Sequence, residues 1–258
     1  MADELVHYAE DKGVARITLD SPHNRNALSA QLRRELRDHL TRATDDPTVR
    51  VVVLDHTGPV FCAGMDLKEA GGASSSAQGV NEFPSILRQI WECPKPVVAA
   101  LAGPARAGGV GIVAAADIAV AADTATFAFT EVRIGIVPAV ISVTVLPRLL
   151  PRAAHELFLT GEQFSAARAV EIGLLNATVP PKALANEVAR YTTMLSLGGP
   201  IALAATKAML RRPRPTDMAD DFTEMLALSA GFFASPEGQE GITAFAQKRK
   251  PHWVPNTD

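Results

Sequence analysis

The chain has 258 residues, of which 47% are hydrophobic and 21% charged, an ordinary balance for one globular domain or one domain with an appendage. The net charge of -3 provides no strongly basic surface, so a nucleic-acid partner is not expected. The two cysteines, Cys62 and Cys93, exclude a disulfide framework and fit a cytoplasmic location.

Neither a signal peptide nor a membrane span is expected from the hydrophobic pattern. Residues 1–13 lack the basic-then-apolar order of a signal peptide. The most apolar stretch, 96–122, is interrupted by Gly103, Pro104, Arg106 and Asp117, so it falls short of the roughly 20 apolar residues that a membrane helix needs. We therefore expect no membrane partner.

The first half of the chain alternates strand and helix patterns. Residues 14–19 are β-branched, as in a strand, and 50–55 are almost continuously apolar, as in a strand covered on both faces. Leucines at every fourth position from Leu28 to Leu40 predict an amphipathic helix that Ser29 caps. Further strands are predicted at 96–101, 118–121 and 126–129, and helices at 86–91 and 107–116.

Beyond about residue 140 the strand patterns almost disappear. Helices are predicted over 153–160, 165–172, 182–195, 201–211 and 217–233, and a last helix begins at Ser235-Pro236-Glu237. Residues 71–79, rich in glycine and serine, predict a surface loop. The pattern indicates an α/β part followed by a helical part.

Two glycine-containing turns are candidates for binding an oxyanion. The first, FCAGMDL at 61–67, follows the strand that ends near Asp55, and the second, AGGVG at 107–111, follows the strand at 96–101. Backbone N–H groups exposed where such a turn enters a helix stabilise negative charge. Each turn alone is equally compatible with a plain strand-to-helix connection, but two of them could converge on one carbonyl oxygen.

The second turn also fits a dinucleotide-binding pattern. Gly109, Gly111 and Ala114 match G-x-G-x-x-A, and Glu131 lies 20 residues beyond Gly111. Residues 102–106 separate these glycines from the preceding strand, which disfavours a dinucleotide site. The scattered histidines show no metal-ligand spacing, so no metal is expected.

Glu131 is the candidate acid–base residue. It follows an apolar strand, and Gly135 and Pro138 lie shortly after it. A partly buried carboxylate has a raised pKa and can transfer protons near neutral pH. The alternative is a structural glutamate that caps a helix or pairs with Arg133.

Six segments in this order resemble the enoyl-CoA hydratase/isomerase, or crotonase, superfamily over nearly the whole chain. They are the Arg25-Asn26-Ala27-Leu28 segment, FCAGMDL, ARAGGVGIVAAADIAVA with Asp117, FAFTEVRIGIVP, LTGEQFSAARAVEIGLLNATVP and FAQKRKP. The resemblance implies an α/β spiral of ββα units over 1–195. It also implies a helical oligomerisation region over 196–258 that forms a trimer or a hexamer.

The resemblance further implies an acyl-CoA thioester substrate, with coenzyme A carried as part of the substrate and no other cofactor. The backbone N–H groups of Met65 and Gly108 would form the oxyanion hole, and Glu131 would be the catalytic acid–base. The implied substrate-binding residues are Arg25, Ala27, Ala63, Gly64, Asp66, Leu67, Gly109, Gly111 and Lys248. Lys248 would come from a neighbouring subunit, unless the basic run 248–250 is only a solvated helix end.

One position departs from the resemblance. Typical hydratases of this family hold water between two glutamates, and the first would fall at 111, which is Gly111 here. A hydratase that uses Glu131 is still the leading prediction, because the segment after Glu131 resembles methylglutaconyl-CoA hydratases, which also have glycine there. In that case Arg106 or Arg133 could bind the second carboxylate of the substrate. The alternatives are a one-glutamate Δ3,Δ2-enoyl-CoA isomerase and a non-catalytic acyl-CoA-binding protein.

Overall fold

The structure is a computed structural model that describes residues 3–66, 69, 82–213 and 217–255. Its strands are β1 (Val6–Asp11), β2 (Val14–Leu19), β3 (Val51–His56), β4 (Val97–Leu101), β5 (Ala105–Arg106), β6 (Ile118–Ala122), β7 (Thr126–Ala128), β8 (Phe164–Ser165) and β9 (Ala177–Val179). Its helices are α1 (Ala30–Asp45), α2 (Phe83–Glu92), α3 (Gly108–Ala115), α4 (Ala139–Val145), α5 (Pro151–Thr160), α6 (Ala166–Glu171), α7 (Leu184–Leu197), α8 (Pro200–Arg211), α9 (Met218–Ala234) and α10 (Pro236–Ala246). The predicted loop at 71–79 lies outside the described residues.

A six-stranded sheet in the order β1-β2-β3-β4-β6-β9 forms the centre of the fold. β1 and β2 form an antiparallel hairpin, and the other neighbours are parallel. The apolar run of β3 is buried on both faces, because Val52 and Leu54 join the main core while Val51 and Val53 pack on the side of α7. The parallel strands end at one edge of the sheet, where binding sites of α/β folds commonly lie.

Helix α1 follows the spacing of its leucines. Leu32, Leu36 and Leu40 are at most 1% exposed and pack in the main core. The Ser29 hydroxyl accepts a hydrogen bond from the Leu32 N–H at 3.3 Å, so the predicted cap is confirmed. The Leu28 N–H, two residues before the helix begins, donates to the Gly64 carbonyl at 2.8 Å, so the start of the helix lies beside the first turn.

A second, three-stranded sheet orders the strands as β5-β7-β8. β5 and β7 are parallel, with Arg106 opposite Ala128. The chain therefore leaves both strands at the same edge, toward Gly108 in one case and toward Glu131 in the other. Stacked phenylalanine rings at 127 and 164, with centroids 5.7 Å apart, anchor this sheet in the core.

The C-terminal helices attach to the amino ends of the central strands. Lys207 on α8 is 7% exposed, and its ammonium lies 2.5 Å from the Asp117 carboxylate. Asp117 in turn accepts the Val97 N–H at 2.8 Å. This buried pair joins α8 to β4 and β6. The division into 1–195 and 196–258 stays a prediction.

Several short strands were not predicted. β1, β5 and β8 were missed, and β9 completes one edge of the main sheet although the sequence beyond about residue 140 indicated helices alone. Within the described residues no single helix is long and apolar enough to cross a membrane. Residues 181–197 and 200–211 meet that test only jointly, with a bend of 106° between them.

Candidate active site

The two predicted turns meet at the carboxyl edge of the central sheet. Cys62 in the first turn forms an isolated parallel bridge with Ala105 of β5, which directly precedes the second turn. The Arg106 N–H donates to the Cys62 carbonyl at 2.9 Å, which joins the turns through their backbones. A Cβ built on Gly64 would lie 3.4 Å from the Gly108 nitrogen. The turns therefore converge, as the sequence predicted.

The Met65 and Gly108 N–H groups are left without a backbone acceptor among the described residues. Gly64 has φ +93°, a left-handed conformation that glycine adopts without strain. Ala107 has φ +47°, which is unusual for a residue with a Cβ, and its N–H is held by the Ala128 carbonyl at 3.1 Å. These two backbone conformations orient the following amides, and both Met65 and Gly108 line one cavity.

That cavity has a volume of ≈ 310 Å³ and is mostly apolar. One wall is the pair of turns, including Ala63 and Met65, and the opposite wall is alkyl side chains that follow Glu131. Its size is at the lower end for small-molecule sites, which suits one group of a substrate rather than a whole cofactor. Within the described residues, no group of three or more His, Cys, Asp or Glu side chains could hold a metal ion.

Glu131 brings a carboxylate to this cavity. It lies in a short 3-10 turn, Thr130–Ile134, directly after β7. Its Oε2 atom is buried and has no hydrogen-bond partner among the described residues. Burial raises the pKa of the carboxyl group above its ordinary value, because the charged form loses solvation. The predicted alternative, a pair with Arg133, does not form, since the Arg133 Nε donates to the Thr160 carbonyl at 3.1 Å.

Position 111 does not face the cavity directly. A Cβ on Gly111 would lie 2.8 Å from the Cγ2 atom of Ile141 and 3.6 Å from Leu87. The Thr144 hydroxyl also donates to the Gly111 carbonyl at 3.1 Å, which holds α4 against α3. Ile141 lines the cavity and covers Gly111. Gly111 therefore serves close packing of two helices, and its predicted contact with substrate stays a prediction.

Gly109 also serves packing rather than the cavity. A Cβ there would lie 2.6 Å from the Cys62 carbonyl oxygen, so only glycine lets α3 begin this close to the first turn. The Cys62 thiol is buried, and desolvation raises its pKa to about 12. Gly109 therefore has a packing role, and its predicted contact with substrate stays a prediction.

The remaining predicted binding residues separate into two groups. Ala63 and Asp66 line the cavity, and Asp66 accepts a hydrogen bond from the Asn24 side chain at 3.3 Å. Arg25 and Ala27 lie behind the first turn, where the Arg25 carbonyl accepts the Ala63 N–H at 3.1 Å. The Arg25 side chain is exposed. Leu67 lies outside the described residues.

Lys248 does not line the cavity of its own chain. The segment that follows α10 is held by Arg50, whose guanidinium donates to the Trp253 carbonyl and, at 2.7 Å, to the Gly198 carbonyl. Arg50 directly precedes β3, at the amino edge of the sheet, whereas the cavity lies at the carboxyl edge. The contact of Lys248 from a neighbouring subunit with the substrate stays a prediction.

The two arginines predicted to bind a second substrate carboxylate face elsewhere. Arg106 donates to the Thr126 carbonyl at 2.6 Å and to the Gln163 side chain at 2.7 Å, and Arg133 turns to the Thr160 carbonyl. Neither lines the cavity. The expected partner for a dicarboxylic substrate is therefore not present in this geometry.

The alkyl wall was the part of the site that sequence reasoning missed. It is formed by residues 136–141 together with Ile134 and with Phe83 of α2. Val137 is 77% exposed and Ile136 49% exposed, although the run is strongly apolar. The sequence signal that could have revealed this wall is an apolar run without helical or strand periodicity. Exposed apolar residues of this kind often mark a ligand-binding site.

Comparisons with known proteins identify the family. A sequence model of the family described as enoyl-CoA hydratase/isomerase matches residues 9–256. The mitochondrial enoyl-CoA hydratase domain-containing protein 3 of Rattus norvegicus is 33% identical over 96% of this chain and 84% of its own length. The carnitinyl-CoA dehydratase of Proteus mirabilis is 32% identical over 97% of this chain and 98% of its own length.

Solved structures show the same architecture. An enoyl-CoA hydratase of Mycobacterium smegmatis superposes with a TM-score of 0.90 at 32% identity and covers 97% of this chain and 99% of that one. An enoyl-CoA hydratase of Mycobacterium avium is 45% identical, with a TM-score of 0.73, over 98% of this chain and 100% of that one. The predicted crotonase-like α/β fold is confirmed.

Proposed function

The chain belongs to the enoyl-CoA hydratase/isomerase family, and from that premise we propose that it transfers protons at C2 of an enoyl-CoA thioester through a bound enolate. The Met65 and Gly108 N–H groups hold the enolate oxygen, and Glu131 is the acid–base. One observation supports this proposal most strongly. The buried Oε2 atom of Glu131, which has no hydrogen-bond partner among the described residues, belongs to a residue that lines the same cavity as Met65 and Gly108, and the N–H groups of those two residues have no backbone acceptor among the described residues.

The two amides supply the electrostatic part of the reaction. When a proton leaves C2, negative charge moves onto the thioester oxygen, and N–H groups that already point at that oxygen stabilise it without reorganising. Removing one such donor typically costs about 10²- to 10³-fold in rate. The geometry that fixes both donors is the left-handed Gly64 and the positive φ of Ala107.

The environment of Glu131 suits proton transfer in both directions. A raised pKa makes the carboxylate a stronger base than an exposed glutamate and its protonated form available to return the proton. A positioned acid–base group of this kind contributes roughly 10²- to 10⁴-fold. The cavity around the carboxylate is mostly apolar, which disfavours competing water.

Of the two reactions foreseen from the sequence, the geometry favours isomerisation. Glu131 would remove a proton from C2 of a 3-enoyl-CoA, leaving a dienolate whose oxygen rests on Met65 and Gly108. The same carboxyl group would return the proton to C4 and leave a 2-enoyl-CoA. In a two-glutamate site, a glutamate at position 111 would help to hold water. Here the alkyl side chain of Ile141 covers Gly111 and lines the cavity, and it offers water no hydrogen bond.

Hydration of a 2-enoyl-CoA is the second candidate. It is favoured by the names of similar proteins, which include enoyl-CoA hydratases and a carnitinyl-CoA dehydratase. Glu131 alone would then deprotonate the water that adds to C3 and deliver the proton to C2. A dicarboxylic substrate is disfavoured, because Arg106 and Arg133 are engaged outside the cavity.

The experiment is product analysis on two substrates. Purified protein is incubated with a 3-enoyl-CoA and, separately, with 2-enoyl-CoAs that include 3-methylglutaconyl-CoA, and products are resolved by mass and chromatography. Conversion of the 3-enoyl substrate to its isomer without gain of water supports isomerisation. Gain of water on a 2-enoyl substrate assigns hydration instead. Tight acyl-CoA binding with neither product would establish the non-catalytic alternative.

Assembly is proposed as a homotrimer or a pair of trimers. Large apolar side chains on the last helices are exposed in the single chain, among them Leu210, Met218, Phe222, Leu226 and Phe233, each more than 60% exposed. Such a surface supports burial against further copies. In that assembly Lys248 of a neighbouring copy could reach the coenzyme A phosphates. A cytoplasmic location remains part of the same proposal.

A further inference from the structure

His56 lies outside the cavity but bonds to both turns that form it. It is the last residue of β3, and residues 57–60 connect it to the first turn. Its Nε2 atom lies 3.0 Å from the nitrogen of Ala102, the first residue after β4, in the segment that leads to the second turn. Its Nδ1 atom lies 3.1 Å from the Thr57 carbonyl. One side chain therefore joins the two segments that lead from β3 and β4 to the turns.

The bonding partners fix the protonation state of the ring. The Ala102 N–H can only donate, so Nε2 must accept and carry no proton. The Thr57 carbonyl can only accept, so Nδ1 must carry the proton. Both bonds are satisfied together only by one tautomer of the neutral imidazole, and a proton on Nε2 would set two donors against each other.

The contacts around this ring continue along the two segments that lead to the turns. The ring meets Phe61 edge to face, with centroids 5.5 Å apart and an 88° angle. The Phe61 N–H donates to the Pro104 carbonyl at 2.9 Å, so the same pair of turns is joined one step further along. At Gly103 a Cβ would lie 2.1 Å from the Pro59 carbonyl oxygen, which shows how closely the turns pack.

We propose that His56 is a positioning residue that holds the two oxyanion-binding turns in register through its neutral imidazole. The inference rests on the proposed function, because the register matters only if Met65 and Gly108 bind an enolate oxygen together. His56 touches no part of the cavity and acts through Ala102 and Thr57. Protonation of the ring would release Ala102 and loosen the second turn.

The surroundings keep the ring neutral near physiological pH. Burial lowers the pKa of His56 below its ordinary value of 6.5. The facing charges are paired: Asp55 beside it accepts from Thr18 at 2.6 Å and forms an ion pair with Arg16, and Asp20 is bonded to Thr57 and, at 2.7 Å, to His7. Residues 97–105 on the β4 side carry no titratable side chain, and Cys62 is the single one among 57–65.

His7 also titrates near this part of the molecule, so its effect must be distinguished from that of His56. Its pKa is raised, chiefly by its hydrogen bond to Asp20, so it also gains a proton as the pH falls. Asp20 touches the first turn through the Thr57 hydroxyl. A variant that removes only the titration of His56 keeps the contact from His7 through Asp20 to Thr57. A difference between this variant and the unchanged protein therefore reports on His56 alone.

The test measures enolate binding without turnover. Acetoacetyl-CoA forms an enolate on its own, and the ultraviolet absorbance of that enolate reports its stabilisation by the protein. The measurement is made on Glu131→Gln protein, so that Glu131 does not titrate. His56→Gln can still accept from Ala102 but cannot gain a proton, whereas His56→Leu offers no acceptor.

We expect His56→Leu to weaken enolate binding roughly tenfold at neutral pH and His56→Gln to restore most of it, since misplacing a reacting group is costly. As pH falls below 6.5, bound enolate should decline more steeply in the protein that retains His56 than in the His56→Gln variant. Equal pH curves, or unchanged binding in His56→Leu, would overturn the inference. Absence of enolate binding in every protein, including the one that retains His56, would refute the proposed function itself.

Discussion

Replacing Gly111 with alanine tests the contact that separates this cavity from a two-glutamate site. The new Cβ would lie 2.8 Å from Ile141 Cγ2 and 3.2 Å from its Cβ, closer than two carbons pack without strain. Ile141 is 3% exposed, so it has little room to move away. Overpacking of this kind costs about 1–3 kcal/mol in the free energy of unfolding.

A matched substitution removes the effect of helix propensity. Gly231 lies in α9, and a Cβ there meets nothing within 4 Å. Gly231→Ala should therefore stabilise the helix by about 0.5–1 kcal/mol, since alanine restricts the unfolded chain. The same gain is available at 111, so the difference between the two variants isolates the collision with Ile141.

Thermal or denaturant unfolding of both variants measures that difference. Gly111→Ala should lie about 1–3 kcal/mol below Gly231→Ala, which at about 2–4 °C per kcal/mol separates their Tm values by several degrees. In an Ile141→Ala background the penalty should vanish, giving a favourable coupling between the two sites. Equal Tm values for both alanine variants, or strictly additive effects at 111 and 141, would refute the packing account.

Other predictions concern the chemistry of the cavity. Gly111→Glu combined with Ile141→Ala should gain hydration of a 2-enoyl-CoA, measured by product mass, whereas Gly111→Glu alone should not; no gain in the double variant would count against the role of Ile141. Glu131→Gln should lower turnover by about 10²- to 10⁴-fold while acyl-CoA still binds by titration calorimetry, and unchanged turnover would refute the assignment. Burial raises the pKa of Glu131 in the folded protein above 4.5, so the protonated carboxyl group stabilises the fold at low pH and this contribution is lost as the pH rises through the folded pKa. The stability of Glu131→Gln relative to the unchanged protein should therefore increase as the pH rises. A stability difference that stays constant with pH would contradict this sign. Cys62, with a pKa of about 12, should resist thiol reagents until the chain unfolds, and rapid labelling of native protein would contradict its burial.

The parts of the site that sequence could predict are those set by local chain geometry. Gly64 before Met65 marks backbone that turns sharply, and an apolar strand before Glu131 marks a carboxylate near the core. The four-residue spacing of leucines likewise predicts α1 and its cap. Each of these depends on residues close together in the chain, so the pattern is visible without the fold.

The parts that sequence could not predict depend on contacts between distant segments. Gly111 meets Ile141 only because α4 folds back on α3, and Arg106 is drawn from the cavity by Thr126 and Gln163. β9 has three residues, too few for a period, and becomes a strand by pairing with β6. His56 shows nothing in sequence, because its importance lies in one bond to Ala102.

The most direct test of the central claim is exchange of the C2 hydrogens of a saturated acyl-CoA with deuterated water, followed by mass spectrometry. This measurement requires only enolate formation, so it does not depend on whether the reaction is isomerisation or hydration. We predict exchange with the unchanged protein and its loss in Glu131→Gln at equal acyl-CoA binding. Exchange that persists in Glu131→Gln, or bound acyl-CoA that never exchanges with the unchanged protein, would contradict the claim that Glu131 transfers a proton at C2.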